Sequence, residues 1–104
     1  MRSKKILIID DEFELCLLLK LHLAGKGHEV EISYNLKDGL LKLNAFHPDI
    51  IFLDNNLPDG YGWENASDII NEHPFVKINL ISGIRPIFPA DITNENIRIL
   101  EKPL

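Results

Sequence analysis

Three aspartates and a lysine stand at the ends of aliphatic runs. Asp10 and Asp11 follow Ile6-Leu7-Ile8-Ile9, Asp54 follows Ile50-Ile51-Phe52-Leu53, and Lys102 lies just beyond Ile97-Arg98-Ile99-Leu100. If each run is a strand of an open parallel sheet, the four residues meet on the rim made by the strands' carboxyl ends. Three carboxylates then face one ammonium. Two like charges about 4 Å apart repel by roughly 4 kcal/mol at an effective dielectric near 20, so the cluster requires a cation or protons. A divalent metal answers that requirement most simply.

The elements that must position these residues are legible as short β-rich runs alternating with helical patterns, the pattern of βαβ units around a parallel sheet. Five strands are expected, over Lys5 to Ile9, Glu29 to Ser33, Asp49 to Leu53, Val76 to Ile81 and Ile97 to Leu100. The first, third and fourth are nearly continuous aliphatic runs, as in strands buried on both faces; the second alternates like an edge strand. Helix one is expected from Phe13 to Ala24, stopping at Gly25 or Gly27, where a left-handed cap is available. Helix two should follow the N-cap Asn35, carry Leu36, Leu40, Leu43 and Phe46 at helical spacing, and end at His47-Pro48. Helix three is expected from Trp63 to Glu72. A fourth helix is degenerate in this reading, because Pro86 and Pro89 fall where it would begin.

The 104 residues suffice for one domain with one core. Eleven basic against sixteen acidic residues give a net charge of -5, and no basic block exceeds Lys4-Lys5, so nucleic acid is not an expected partner. The lone Cys16 cannot form an internal disulfide. Only four apolar residues separate Lys5 from Asp10, too few for a signal-peptide core, and Leu15 to Ala24 is broken by Lys20 and His22. The expected location is the cytoplasm, with no membrane contact.

Five separated signals in this order resemble the receiver domains of two-component response regulators. They are the acidic pair in Ile-Ile-Asp10-Asp11-Glu12, the Asp54 in Phe-Leu-Asp54-Asn-Asn-Leu-Pro58-Asp-Gly60-Tyr-Gly62, Ser82-Gly83 after the fourth strand, Lys102-Pro103 after the fifth, and the strand spacing itself. The resemblance runs from Lys4 to Leu104. It implies a flavodoxin-like, doubly wound α/β fold whose five-stranded parallel sheet has the order 2-1-3-4-5. It also implies that Asp54 accepts a phosphoryl group from a sensor histidine kinase, a phosphotransfer protein or a small phosphodonor. Asp10, Asp11 and Asp54 would hold Mg2+ together with the backbone carbonyl of Asn56, and Ser82, Gly83 and Lys102 would receive the phosphate. Such roles suit the chemistry: Mg2+ prefers oxygen ligands and keeps several waters, and phosphoryl transfer relies on positioning and charge stabilisation.

Each residue alone has a plainer reading. Asp11 could cap helix one, Lys102 could be a solvated charge, and Ser82 by itself says nothing. His22, His28, His47 and His73 share no metal-ligand spacing. Cys16 reads as a small, semi-buried hydrophobe and Trp63 as a packing residue close enough to the rim to report on metal binding.

The chain also departs from the family. Ile99 occupies the strand-five position where an aromatic switch residue is usual, three before Lys102, and nothing follows Leu104 that would make a fifth helix. The expected domain is thus a single receiver, residues 1–104, shortened at its C-terminal end. Without that helix, strands three to five should expose aliphatic side chains on the side shared with helix one. Leu17 and Leu21 would extend the patch, giving an interface for a second copy or a different partner. The leading expectation is a non-enzymatic, stand-alone phosphoacceptor module with output through protein contacts. The alternatives are an interaction module independent of phosphorylation and a Mg2+-dependent phosphohydrolase. The latter usually needs an Asp-x-Asp spacing that this sequence lacks.

Overall fold

The computed structural model describes residues 3–82 and 96–101. The element order is β1 (Lys5–Ile9), α1 (Phe13–Gly25), β2 (Glu29–Ser33), α2 (Leu36–Phe46), β3 (Ile50–Asp54), β4 (Asn56–Leu57), β5 (Gly60–Tyr61), a 3-10 turn (Gly62–Asn65), α3 (Ala66–Glu72), β6 (Lys77–Ser82) and β7 (Ile97–Glu101). β4 and β5 form a two-stranded antiparallel hairpin; the other five strands make one sheet in the order β2-β1-β3-β6-β7. All four pairings in that sheet are parallel, so the order matches the doubly wound arrangement expected from the sequence. The helix-four expectation falls on residues outside the described ones, and the described residues hold three α-helices.

Alternation along the strands divides the core into two layers. Leu7, Ile9, Ile51, Leu53, Ile78 and Leu80 pack on one face with Leu43 and Phe46 of α2 and with Trp63, Ala66, Ile69 and Ile70. On the other face Ile6, Ile8 and Val30 meet Cys16 of α1, with Leu19, Leu23, Ile50 and Phe52 against them. Each fully buried Ile or Leu contributes about 1.5–3 kcal/mol relative to exposure, so the aliphatic runs of β1, β3 and β6 dominate the stability of the sheet.

The helix ends explain themselves locally. α1 finishes where the Gly27 amide donates to Ala24 O and the His28 amide to Leu23 O, with Gly27 at φ 90. Of the two glycines offered by the sequence, Gly27 is therefore the one that takes the left-handed turn. At the start of α2 the Asn35 side chain accepts from the Asp38 amide at 2.7 Å. Its far end stops at His47, whose left-handed backbone lets its amide reach Leu43 O. Helix three begins later than expected. The Gly62 amide donates to Asn55 O and the Trp63 amide to Asn55 Oδ1, which holds the first turn in the tighter 3-10 form until Ala66.

One expectation is corrected. Register places Lys77, Asn79 and Ile81 beside Ile50, Phe52 and Asp54, and Arg98 and Leu100 beside Asn79 and Ile81, all on the α1 side. Toward the strand starts this face is therefore polar: Lys77 and Arg98 are exposed, and Asn79 is half-buried. Only Ile81 and Leu100 fit the expected aliphatic surface on β6 and β7. The exposed apolar residues on this side of the molecule lie on α1 instead, at Leu17, Leu21, Phe13 and Leu18.

Candidate functional site

Parallel pairing of β1 with β3 aligns Ile9 with Leu53, which brings the residues that follow, Asp10 and Asp54, to the same rim. Asp10 is fully buried and Asp54 nearly so, whereas Asp11, one residue further along the turn into α1, is exposed. One carboxylate oxygen from each of the three lies within 4.8 Å of the others. Asp10 Oδ1 also accepts from the Glu12 amide at 2.9 Å, and the Asp10 amide donates to Ser33 O. Asp11 therefore leaves the capping of α1 to its neighbours: the N-cap residue is Glu12, fixed from behind by Asp10. The donor set is all oxygen, anionic and partly desolvated, which fits a hard divalent cation that retains some of its waters.

The loop after Asp54 is built around two residues whose roles the sequence does not announce. Asn55 donates its amide to Ile81 O, accepts from the Gly62 amide at its carbonyl and accepts from the Trp63 amide at its side chain, so it ties β3, β6 and the 3-10 turn together. Gly62 passes so close to β3 that a Cβ there would overlap the carbonyl oxygen of Asp54 and press on the Leu53 side chain. Asn56, exposed in β4, shares an open depression with Asp11, Leu57, Pro58, Gly60 and Tyr61.

A model of the response regulator receiver domain matches residues 6–96. The chain belongs to that family. The receiver resembles the uncharacterized transcriptional regulatory protein YvcP of Bacillus subtilis, 35% identical over 77 residues that make up 72% of this chain and 32% of YvcP. Among solved structures, a two-component response regulator from Clostridium difficile is 31% identical with a TM-score of 0.83, covering 99% of this chain and 85% of that one. The response regulator protein TrrA of Thermotoga maritima, solved in complex with Mg2+-BeF, is 28% identical with a TM-score of 0.81, covering 96% and 87%. The chain spans only about a third of the length of the curated relatives, 32% for YvcP and 34% for the regulatory protein VanR of Enterococcus faecium.

Of the other residues singled out in the receiver sequence, Ser82 closes β6 opposite Glu101 of β7, and its side chain lies outside the described part. Gly83 and Lys102 also lie outside the described residues. Ile99 is on β7 opposite Leu80 and 37% exposed. No helix among the described residues is long and apolar enough to cross a membrane.

Asp59, in the loop between Asp54 and Gly62, has a structural task. Its Oδ1 and Oδ2 accept from the Leu36 and Lys37 amides at 2.7 and 2.8 Å, which places a carboxylate on the N-terminus of α2. Those two backbone hydrogen bonds hold its carboxyl below the ordinary aspartate value. A depressed carboxyl stabilises the fold fully above the unfolded pKa of about 3.9 and loses that contribution as pH falls through the lower folded value. Carboxyl-carbon NMR should accordingly show Asp59 titrating below an ordinary aspartate, and Lys37→Ala should leave most of that shift in place. A normal midpoint would show that the loop does not grip α2 in solution.

Trp63 offers a way to watch the rim. It is 4% exposed, and its amide is bonded to the side chain of Asn55, the residue after Asp54. Mg2+ titration should alter Trp63 fluorescence with submillimolar to millimolar affinity, as expected of a site with few protein ligands, and Asp11→Ala should abolish the change. Unaltered binding in that variant would put the metal elsewhere.

Proposed function

We propose that this receiver is a phosphoacceptor signalling module of a two-component phosphorelay, phosphorylated on Asp54 in a Mg2+-dependent reaction. The observation that carries the reading is the meeting of Asp10, Asp11 and Asp54 oxygens within 4.8 Å at the carboxyl ends of adjacent strands. Asp11, Asp54 and the carbonyl of Asn56 would hold the metal, with Asp10 completing the acidic pocket. Bound there, Mg2+ supplies positive charge to the phosphoryl oxygens.

The chain's own residues do the rest. An Asp54 carboxylate oxygen attacks phosphorus and forms the acyl phosphate bond while the bond from phosphorus to the donor's nitrogen or oxygen breaks, the electron pair leaving with the donor. Asp10, held by the Glu12 amide, keeps the turn into α1 in place beside it. Asn55 and Gly62 fix the backbone just past the nucleophile. Ser82 and Gly83 would receive phosphate oxygens and Lys102 would balance the added charge. The donor is a sensor histidine kinase or a phosphotransfer protein, and output runs through protein contacts, with neither nucleic acid nor membrane as a direct partner of this single domain. We place the module in the cytoplasm and assign it no turnover of its own. Intact mass after incubation with a small phosphodonor and Mg2+, wild type against Asp54→Asn, tests the assignment.

A further inference from the structure

α1 is apolar on both sides. Cys16, Leu19 and Leu23 face the sheet, while Phe13, Leu17, Leu18 and Leu21 point away from it and remain 65%, 56%, 66% and 63% exposed. The four outward residues follow one another at spacings of four and of one and three, so they share one side of the helix. Helices that are apolar all round are ordinarily covered on both sides. The outward four present on the order of 400 Å2 of apolar surface, toward the upper end of what a monomer shows in one patch.

We propose that this face pairs with a second copy of the chain, α1 against α1, antiparallel across a two-fold axis that passes between Leu17 and Leu18. Charge selects the occupant and the direction. Acidic residues gather at the start of the helix, Glu12 and Glu14, and basic ones toward its end, Lys20, His22 and Lys26. An antiparallel pair lays the acidic turn of each copy beside the basic turn of the other, twice over, and also opposes the helix dipoles favourably. A parallel pair would oppose like with like. Tyr34, in edge contact with Phe13 at a centroid distance of 4.4 Å, widens the apolar centre, and the charged flanks supply a rim. Centre and rim together approach the about 800 Å2 per partner of a standard interface.

Sedimentation of the 104-residue chain at micromolar concentration should show a dimer, and Leu17→Glu/Leu21→Glu should show a monomer with unchanged far-UV circular dichroism. Should that double variant fail to fold, two surface changes carry the test. Glu14→Lys should raise the dissociation constant by about tenfold through two symmetry-related contacts, and adding His22→Glu should restore it. Cys16 is fully buried, so an introduced surface thiol is the reactive one. Leu18→Cys, close to the axis, should oxidise readily to a disulfide-linked dimer, whereas Glu14→Cys, far from its own copy, should not. A monomer at micromolar concentration overturns the proposal and leaves the patch to a different protein. Dimers untouched by all the α1 changes, or cross-linking through Glu14→Cys in preference to Leu18→Cys, overturn it equally.

Discussion

Incubated with acetyl phosphate and Mg2+, the wild-type chain should gain the mass of one phosphoryl group, and Asp54→Asn should gain none. Three carboxylates compete for the role, and their surroundings separate them. Asp10 is fully buried and commits Oδ1 to the Glu12 amide, which makes it a poor nucleophile. Asp11 is exposed on a turn, where nothing holds a donor in line with it. Asp54 ends a central strand with its backbone fixed on both sides, by pairing with β6 before it and by Asn55 after it. Asp11→Ala should keep Asp54 chemically available yet slow labelling by about a hundredfold or more, the usual cost of removing one electrostatic stabiliser from a transition state. Label that persists in Asp54→Asn would move the acceptor to another carboxylate and sink the assignment.

The largest structural effect should come from Gly62→Ala. Its added methyl has the Asp54 carbonyl oxygen and the Leu53 side chain in its path, and neither can turn aside: one is backbone of a central strand and the other is fully buried. Overpacking a core costs about 1–3 kcal/mol and more where backbone must move, so we expect a loss of about 3 kcal/mol, a large part of the 5–15 kcal/mol typical of such a domain. Urea denaturation should show the midpoint falling, and labelling of Asp54 should fall with it because the nucleophile's own peptide is displaced. A midpoint shifted by no more than about 0.5 kcal/mol, the scatter of ordinary surface substitutions, would mean that the turn is looser in solution than its geometry implies.

Much of this architecture is legible in the residues themselves. Strand limits lie within one residue of expectation because each aliphatic run is bounded by Asp, Gly or Pro, which the sheet interior rejects. The edge position of β2 follows from its alternation, and the meeting of Asp10 with Asp54 from parallel pairing alone. Other features depend on contacts that local pattern does not encode. The tasks of Asn55 and Asp59 are hydrogen bonds to partners 7 to 26 residues away, invisible to any window of periodicity. The outward leucines were only half foreseen, Leu17 and Leu21 without Phe13 and Leu18, because a helix apolar all round has no period by which to tell inside from outside. The polar character of Lys77, Asn79 and Arg98 was available from alternation along β6 and β7, and the expectation of a bare aliphatic face passed over it.

The first turn of α2 is a shared possession. Of its leading amides, those of Leu36 and Lys37 find their acceptors on Asp59, and that of Asp38 on Asn35. Helix initiation is the costly step, since several dihedral angles must be fixed before any internal bond is gained. Here part of that nucleus is supplied by a loop more than twenty residues downstream, which can order itself only once β3 has been laid down. Loop and helix are consequently one cooperative unit, formed together and lost together, and the acidic rim inherits its order from a helix that contributes no residue to it.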